Sequence, residues 1–365
     1  MKFKIVIIGA TGKLGLKLLN YCFVNNIQIL AITSYKNINL LNKLKKKHNI
    51  KYSFNLSSIE DKNDFINFLN NKKINLIYFL DYGANSLQYL NVFLSKNINS
   101  SIAIANKEMI ILGGRVMIKK IKLTKNHFIP LDSEHYSLMN SNLDKKIVKK
   151  VFITASGGPF YFDKSIDLNK VNFKQVISHP KWKMGINNSI DSSNFINKIL
   201  EIHELSIIYD IDIKKIDFLI SQEAYIHSLV FYNDSSSIIN CFNNDMIISL
   251  SFPLRRFFDL PKINYTKKKF LDINNFKLEK FNDKRFKISK YMNLFKNFNH
   301  IQLIQFIILN NIAHSKYIKN AINYNSIFNF IINNIDITKK NMNLNTINGI
   351  LKYYNSKLND FKKIN

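Results

Sequence analysis

Asp132 and Glu134 stand two residues apart in Pro130-Leu131-Asp132-Ser133-Glu134-His135, in a chain with only 25 acidic side chains against 53 Lys and Arg. If the segment is extended, residues i and i+2 point the same way and the two carboxylates converge. Convergent carboxylates with nothing basic between them suit a hard divalent cation such as Mg²⁺ or Mn²⁺. The same residues also fit a helix start, with Asp132 or Ser133 as N-cap.

Other segments carry complementary chemistry. Asp191–Glu201 has a helical pattern that puts Asn197 and Glu201 at i and i+4, on one face. Glu201 can supply a third oxygen ligand, and Ser192, near the expected helix start, can meet an anion. A solvent-facing polar stripe has the same pattern. Ser156-Gly157-Gly158 offers a hydroxyl and two unhindered backbone N–H groups, a candidate phosphate cradle. The segment His179 to Gly185 contains the chain's single tryptophan, Trp182. Flanked by two Lys, a Pro and a Gly, it suggests a mobile aromatic lid; a lone Trp in the core is the plainer alternative.

Gly9-x-Thr11-Gly12-x-x-Gly15 is a glycine fingerprint at a strand-to-helix turn, where backbone can approach a pyrophosphate and a helix N-terminus faces it. After the second strand no acid waits for a ribose 2′-hydroxyl. Thr33-Ser34-Tyr35-Lys36-Asn37 stands there instead, which favours a 2′-phosphate and hence NADPH over NADH. Ala105-Asn106-Lys107-Glu108 follows an expected strand, at the end that faces the ligand crevice in an open α/β sheet. A solvated helix start fits that segment equally.

The elements that must position these groups are legible in outline. Lys4–Ile8 is expected as a buried strand, followed by a helix to about Phe23 and strands at Ile27–Ile32, Leu76–Leu80 and Ser101–Ile104. That β-α-β rhythm predicts a parallel sheet with right-handed crossovers. The texture changes near Phe128. Strands are expected at Val151–Thr154, Phe218–Ile220 and Ser228–Tyr232, with one helix from Ser189 to about Tyr209. Basic, Asn-rich sequence from Lys262 to about Ser289 suggests a linker, and Ile301–Ile312 and Ile327–Ile335 suggest helices.

A chain of 365 residues with 46% hydrophobic side chains is long enough for two or three domains. The net charge of +28 raises nucleic acid as a partner. The lysines are nevertheless scattered among Asn and Ile, as codon drift in an AT-rich genome would leave them, and no nucleic-acid signature accompanies them. Nucleic acid is therefore not expected as a partner, although a positive field still favours anionic ligands. Cys22 and Cys241 show no metal or bridge spacing, no run of 18 apolar residues suggests a membrane span, and the fold is expected to begin almost at Met1. Cytoplasm is the default expectation.

In their order these motifs resemble the 1-deoxy-D-xylulose 5-phosphate reductoisomerase family, from about Lys4 to Tyr232. The likeness is densest at Ala105–Glu108, Pro130–His135, Thr154–Phe160, His179–Gly185, Ser189–Glu201 and Ile226–Ser228. It implies an α/β fold: a Rossmann-like NADPH domain over residues 1–128, a central α/β (α+β) catalytic domain over 129–262, a linker over 263–289 and a small helical domain over 290–365. It implies a homodimeric, metal-dependent enzyme of the non-mevalonate route to isoprenoids. Such an enzyme isomerises 1-deoxy-D-xylulose 5-phosphate by a retro-aldol and aldol sequence, then reduces the aldehyde to 2-C-methyl-D-erythritol 4-phosphate.

Carried over by motif, Asp132, Glu134 and Glu201 are the Mg²⁺ or Mn²⁺ ligands and, with Lys107, the catalytic set. Ser156, Ser192, Asn197 and Lys198 hold the phosphate with His179. Ser133 and Lys107 touch the sugar portion, where His227 joins Glu134 and Glu201, and Trp182 and Met184 belong to the lid. Gly9, Thr11, Gly12, Lys13, Leu14, Lys36, Asn37, Asn106, Glu108 and Gly185 lie toward the cofactor. Departures from the family pattern cluster elsewhere: Lys13-Leu14 for Ser-Ile, Tyr35 for Gly, Ala84–Gln88 without its glycines, and Ser221–Ala224 for His-Pro-Gln-Ser. The competing expectation is a decayed homologue that binds ligand without turnover. Retention of all three carboxylates and the phosphate residues on a drifted surface favours the enzyme.

Overall fold

The structure, a computed structural model, describes residues 3–178, 185–258, 276–338 and 344–364. The chain first alternates strand and helix: β1 (Ile5–Ile8), α1 (Lys13–Val24), β2 (Ala31–Ser34), α2 (Ile38–Lys47), β3 (Tyr52–Asn55) and α3 (Ile59–Asn71). It continues through β4 (Leu76–Phe79), α4 (Leu87–Lys96), β5 (Ser101–Ile104), α5 (Lys107–Leu123), β6 (His127–Pro130) and the short α6 (Ser133–Ser137). Then come β7 (Val148–Ala155), α7 (Phe173–Ile177), α8 (Ile186–Ser193), α9 (Ile196–Tyr209), β8 (Ile216–Ile220), β9 (Ile226–Tyr232) and β10 (Ser237–Cys241). The remainder comprises α10 (Ile247–Arg255), β11 (Glu279–Lys280), α11 (Ile288–Lys296), α12 (His300–Ile318), α13 (Ser326–Asn334) and α14 (Ile347–Phe361). Two compact units result: described residues 3–136 with 243–258, and the others from 137 onward.

The first unit is built on a six-stranded sheet in the order β3-β2-β1-β4-β5-β6, with every pair parallel. Its order reverses between β1 and β4, which opens a crevice at the carboxyl ends of those strands. All residues of β1 and β4 are fully buried, as continuous apolar strands covered on both faces should be. α10 returns from later in the chain to pack on α1. There Tyr78 Oη donates to the Leu250 carbonyl at 2.9 Å, and Lys17 pairs with Asp245 at 2.6 Å. The strand expected at Ile27–Ile32 lies later. Ile27 and Ile29 are buried on the approach, and hydrogen bonding to β1 begins only at Leu30, whose N–H donates to the Ile5 carbonyl.

The second unit has a mixed five-stranded sheet, β10-β9-β7-β8-β11, with β7 parallel to β8 and antiparallel to β9. Helix α9 is buried on nearly every side from Ile196 to Ile208, the pattern of a helix at the centre of a core. The single helix expected from Ser189 to Tyr209 is in fact two, because Phe195 takes the left-handed conformation (φ 66°) between α8 and α9. The described part of the expected linker is also packed. β11 pairs with β8, and Arg285 donates to Asp283 and to the carbonyls of Phe160, Asp163 and Ile166. Among the described residues, no helix is long and apolar enough to cross a membrane.

Candidate active site

The glycine turn after β1 is shaped by close approach of backbone. Gly9 has φ +83°, and a Cβ there would lie 2.5 Å from the Asp81 backbone nitrogen at the end of β4. A Cβ on Gly15 would meet the Gly9 carbonyl oxygen at 2.4 Å. Only glycine fits either place, and the result is a turn packed closely on backbone at the reversal point of the sheet. Gly12 caps α1 without a side chain, so Lys13 and Leu14 open the helix, where amide groups have no intrahelical acceptor.

The neighbouring loop is tied to this turn by hydroxyls. Thr11 Oγ1 and Ser34 Oγ lie 2.7 Å apart, Gly9 N–H donates to Thr33 Oγ1 at 3.3 Å, and Asn37 N–H donates to Ser34 Oγ at 3.2 Å. The Asn37 side chain accepts from Leu40 N–H and so caps α2, while Lys36 is exposed in the same loop. These expected cofactor residues therefore share one edge of the crevice.

Asn106 fastens the next strand ends. Its Oδ1 accepts from Met109 N–H and caps α5, and its Nδ2 donates to the Gly83 carbonyl at 2.8 Å and to Asp81 Oδ1 at 3.2 Å. Ser86 also donates to the Asp81 carboxylate. Burial pushes the Asp81 carboxyl up to about 6, against these two hydrogen bonds that lower it. Asp81 was not among the sequence candidates. Its place just past a strand end at the reversal point was the available signal, but that point is known only once β1 and β4 are known to pair. Glu108 is buried in the first turn of α5.

The carboxylate segment is a helix start and not an extended strand, which corrects the first expectation. β6 stops at Pro130, and Tyr136 N–H donates to the Asp132 carbonyl at 2.7 Å, so the chain turns into α6 at once. Asp132, Ser133 and Glu134 are all buried. Lys107 Nζ donates to the Asp132 carboxylate, and Ser133 Oγ donates to Glu134 Oε2 at 2.5 Å. Lys107 stands at the start of α5 behind β5, so adjacent strand ends bring it to Asp132.

In the second unit, β7 delivers Ser156 to a loop whose Gly157 and Gly158 both have positive φ, at 87° and 60°. A Cβ on Gly158 would come within 3.0 Å of the Ser192 carbonyl oxygen, so the cradle and the end of α8 touch through a glycine. Ser192 belongs to the last turn of α8, not to a helix start, because the break at Phe195 divides the helix. After it, α9 presents Asn197, Lys198 and Glu201. Asn197 Nδ2 and Lys198 Nζ donate to the two oxygens of the Glu201 carboxylate. Phe195 is buried among Phe218, Phe281 and Phe286, with centroids at 5.8, 4.6 and 4.9 Å, and these rings hold the start of α9.

His227 is buried in β9, stacked on Phe242 at 3.8 Å with Nε2 3.2 Å from the Phe242 carbonyl oxygen. Gly185 is exposed and caps α8. His179, Trp182 and Met184 lie outside the described residues. The first unit thus holds the expected cofactor residues other than Gly185 and the Asp132–Glu134 carboxylates with Lys107, and the second holds Gly185, Ser156, Ser192, Asn197, Lys198 and Glu201. Each acidic group offers hard oxygen donors, and Lys107 and Lys198 each place an ammonium on one of them.

Comparison with known proteins adds lineage to this chemistry. Residues 128–209 match the family model for the 1-deoxy-D-xylulose 5-phosphate reductoisomerase C-terminal domain. The chain is 31% identical over 355 residues to the 1-deoxy-D-xylulose 5-phosphate reductoisomerase of Pelagibacter ubique (strain HTCC1062), covering 90% of each. It is 30% identical over 285 residues to that of Thermoanaerobacter sp. (strain X514), covering 72% of each. Among solved structures, the Zymomonas mobilis reductoisomerase in complex with NADPH matches with a TM-score of 0.80 at 21% identity, over 98% of this chain and 97% of that one. A DOX-P reductoisomerase in complex with NADPH, fosmidomycin and magnesium matches with a TM-score of 0.82 at 20% identity, over 99% and 97%. At such identities the structural likeness shows the α/β fold.

Proposed function

This chain belongs to the 1-deoxy-D-xylulose 5-phosphate reductoisomerase family, and on that premise we infer how its own residues carry the reaction. It is an NADPH- and metal-dependent oxidoreductase that converts 1-deoxy-D-xylulose 5-phosphate to 2-C-methyl-D-erythritol 4-phosphate. The residue assignments rest above all on one observation. The acidic groups of the motifs are retained and buried, with Asp132 held by Lys107 and Glu201 by Lys198.

The cofactor fits the first unit. Gly9 and Gly15 let the turn pack tightly on backbone at the reversal point, and the start of α1 supplies amide donors for a pyrophosphate. Lys36, beside the Thr33 and Ser34 hydroxyls, is the group for the 2′-phosphate, and Asn106 keeps the β4 and β5 ends in register beside it. NADPH supplies the hydride for the reduction.

The metal fits the donor set. Asp132, Glu134 and Glu201 offer only hard carboxylate oxygens, the ligand class of Mg²⁺ and Mn²⁺. When bound, the ion supplies Lewis acidity for the negative charge that develops as the carbon–carbon bond opens. Lys107 orients Asp132 and, with Ser133, contacts the sugar. Ser156, Ser192, Asn197, Lys198 and His179 hold the phosphate, a remote handle whose binding energy orients the reacting carbons. Trp182 and Met184 shield the reactive aldehyde from water, and His227 and Gly185 complete the substrate and cofactor walls.

The substrate partner is this phosphorylated sugar, and a homodimer is the assembly we propose. β10 is an edge strand carrying Ile238 and Ile239, which are 38% and 55% exposed, an apolar edge that a second copy would cover. A cytoplasmic setting accords with two free cysteines, Cys22 and Cys241. The test is NADPH oxidation by the purified protein with 1-deoxy-D-xylulose 5-phosphate and Mn²⁺. Substrate-dependent consumption that stops on chelation is expected. No consumption by folded protein would overturn the reading.

A further inference from the structure

Helices α8 and α12, both in the second unit, are joined by a buried polar cluster. Asp191 is 2% exposed, His314 0% and Asn310 4%. Asn310 Nδ2 donates to Asp191 Oδ1 at 3.0 Å, and His314 Nε2 stands 2.9 Å from the same oxygen. Asn310 and His314 are one turn apart on α12, so both present to one face. A carboxylate removed from water is costly unless partners meet it, and here Asn310 of α12 donates to it while the His314 ring lies against the same oxygen. An apolar pair would join two helices at less cost, so the cluster adds direction more than strength.

What the cluster directs is the backbone around Ser192. Asp191 precedes Ser192 and is anchored to α12. Ser193 follows it, and its hydroxyl lies 3.1 Å from Oη of the buried Tyr324. Ser192 is therefore clasped on both sides by residues tied to the C-terminal helical region. Its carbonyl lies where Gly158 of the Ser156 loop has no Cβ to obstruct it. We propose that His314, with Asn310, is a positioning residue for phosphate recognition: through Asp191 it fixes where Ser192 stands relative to the Ser156–Gly158 cradle. The C-terminal helices thereby contribute to substrate affinity without touching substrate. The inference rests on the assignment of Ser192 to the phosphate.

The test uses the full chain with Mn²⁺, fosmidomycin as the phosphonate probe measured by calorimetry, and steady-state kinetics. His314→Leu takes the ring nitrogen away from a buried carboxylate. It should raise KM for the sugar phosphate and weaken fosmidomycin by about ten-fold each, with kcat and NADPH affinity within about two-fold of the parent. His314→Gln puts a polar N–H group back beside that oxygen and should recover most of the loss. Tyr324→Phe removes one oxygen only and should shift the same two quantities by about three-fold.

If His314→Leu and Tyr324→Phe lower the melting temperature but bind fosmidomycin like the parent, the cluster is merely structural and the proposal is overturned. Should His314→Leu fail to fold, Tyr324→Phe decides alone, and unchanged affinity there overturns it. Ser192→Ala separates the two levels. Loss of affinity in Ser192→Ala without loss in the others removes only the positioning role. No loss in Ser192→Ala removes the phosphate assignment and this inference with it.

Discussion

Lys198 and Glu201 lie one turn apart on α9, and the ammonium donates to the carboxylate with side-chain exposures of only 8% and 2%. On a surface such a pair would contribute little. Buried, it holds a carboxylate in a single orientation and leaves a costly unpaired charge when either member is removed. Asn197 donates to the second oxygen of the same group, so Glu201 is fixed from two sides before any ligand arrives.

Glu201→Gln should abolish nearly all turnover, because it removes one of the three carboxylate charges assigned to the cation. It should lower stability while the fold still forms, because Lys198 loses its charged partner. The shape is kept and the amide can still meet Asn197. Mn²⁺ affinity, followed by electron paramagnetic resonance, should fall together with activity, and circular dichroism should not change. Parent-like activity at saturating Mn²⁺ would falsify the ligand assignment.

Lys36→Ala should narrow the preference for NADPH over NADH by roughly ten-fold, since a charge-assisted contact to the 2′-phosphate is lost. Efficiency with NADH should hardly move, because that cofactor lacks the group. The quantity to measure is kcat/KM with each cofactor, in parent and variant. A ratio indifferent to the substitution would mean that recognition lies elsewhere in the Thr33–Asn37 loop.

Local patterns were legible in the sequence, and features made by distant pairing were not. The turn at Gly9–Gly15 could be recognised because its strand, glycines and helix are consecutive. Asp81 escaped notice because its burial depends on β1 meeting β4 across some seventy residues, as the register Ile8 with Phe79 shows. The break at Phe195 was hidden because a bulky residue rarely takes positive φ, although the polar run Asp191–Asn194 interrupts the apolar spacing just before it. β11 consists of Glu279 and Lys280, charged and exposed, and nothing in that pair signals a strand. Asp132 and Glu134 stood out by their spacing, but the extended geometry read from it is replaced by the turn closed by Tyr136.

Phe195 offers a test of how the start of α9 is held. Phe195→Ala should destabilise the protein by about 3–5 kcal/mol, because it empties a ring site among Phe218, Phe281 and Phe286. At a left-handed residue glycine is free of the Cβ penalty. Phe195→Gly should therefore be no less stable than Phe195→Ala, the reverse of the order inside a helix. Urea midpoints of the two variants supply the comparison, and a glycine variant clearly weaker than the alanine one would show that backbone strain at 195 is negligible.

Asp81 predicts a pH dependence of stability. Its carboxyl titrates near the ordinary value of 3.8 when unfolded and is pushed up to about 6 in the folded protein by burial. The folded state therefore holds this proton more tightly. The stabilisation it brings is fully present below about 3.8, is lost as pH rises through 6, and is absent above that. Asp81→Asn cannot ionise, and its amide can still engage Ser86 and accept from Asn106. The variant should be more stable than the parent at pH 7.5, with the gap shrinking steadily toward pH 4. Urea unfolding of both proteins across that range measures it. A gap of the same size at every pH would show that ionisation of Asp81 is not its source.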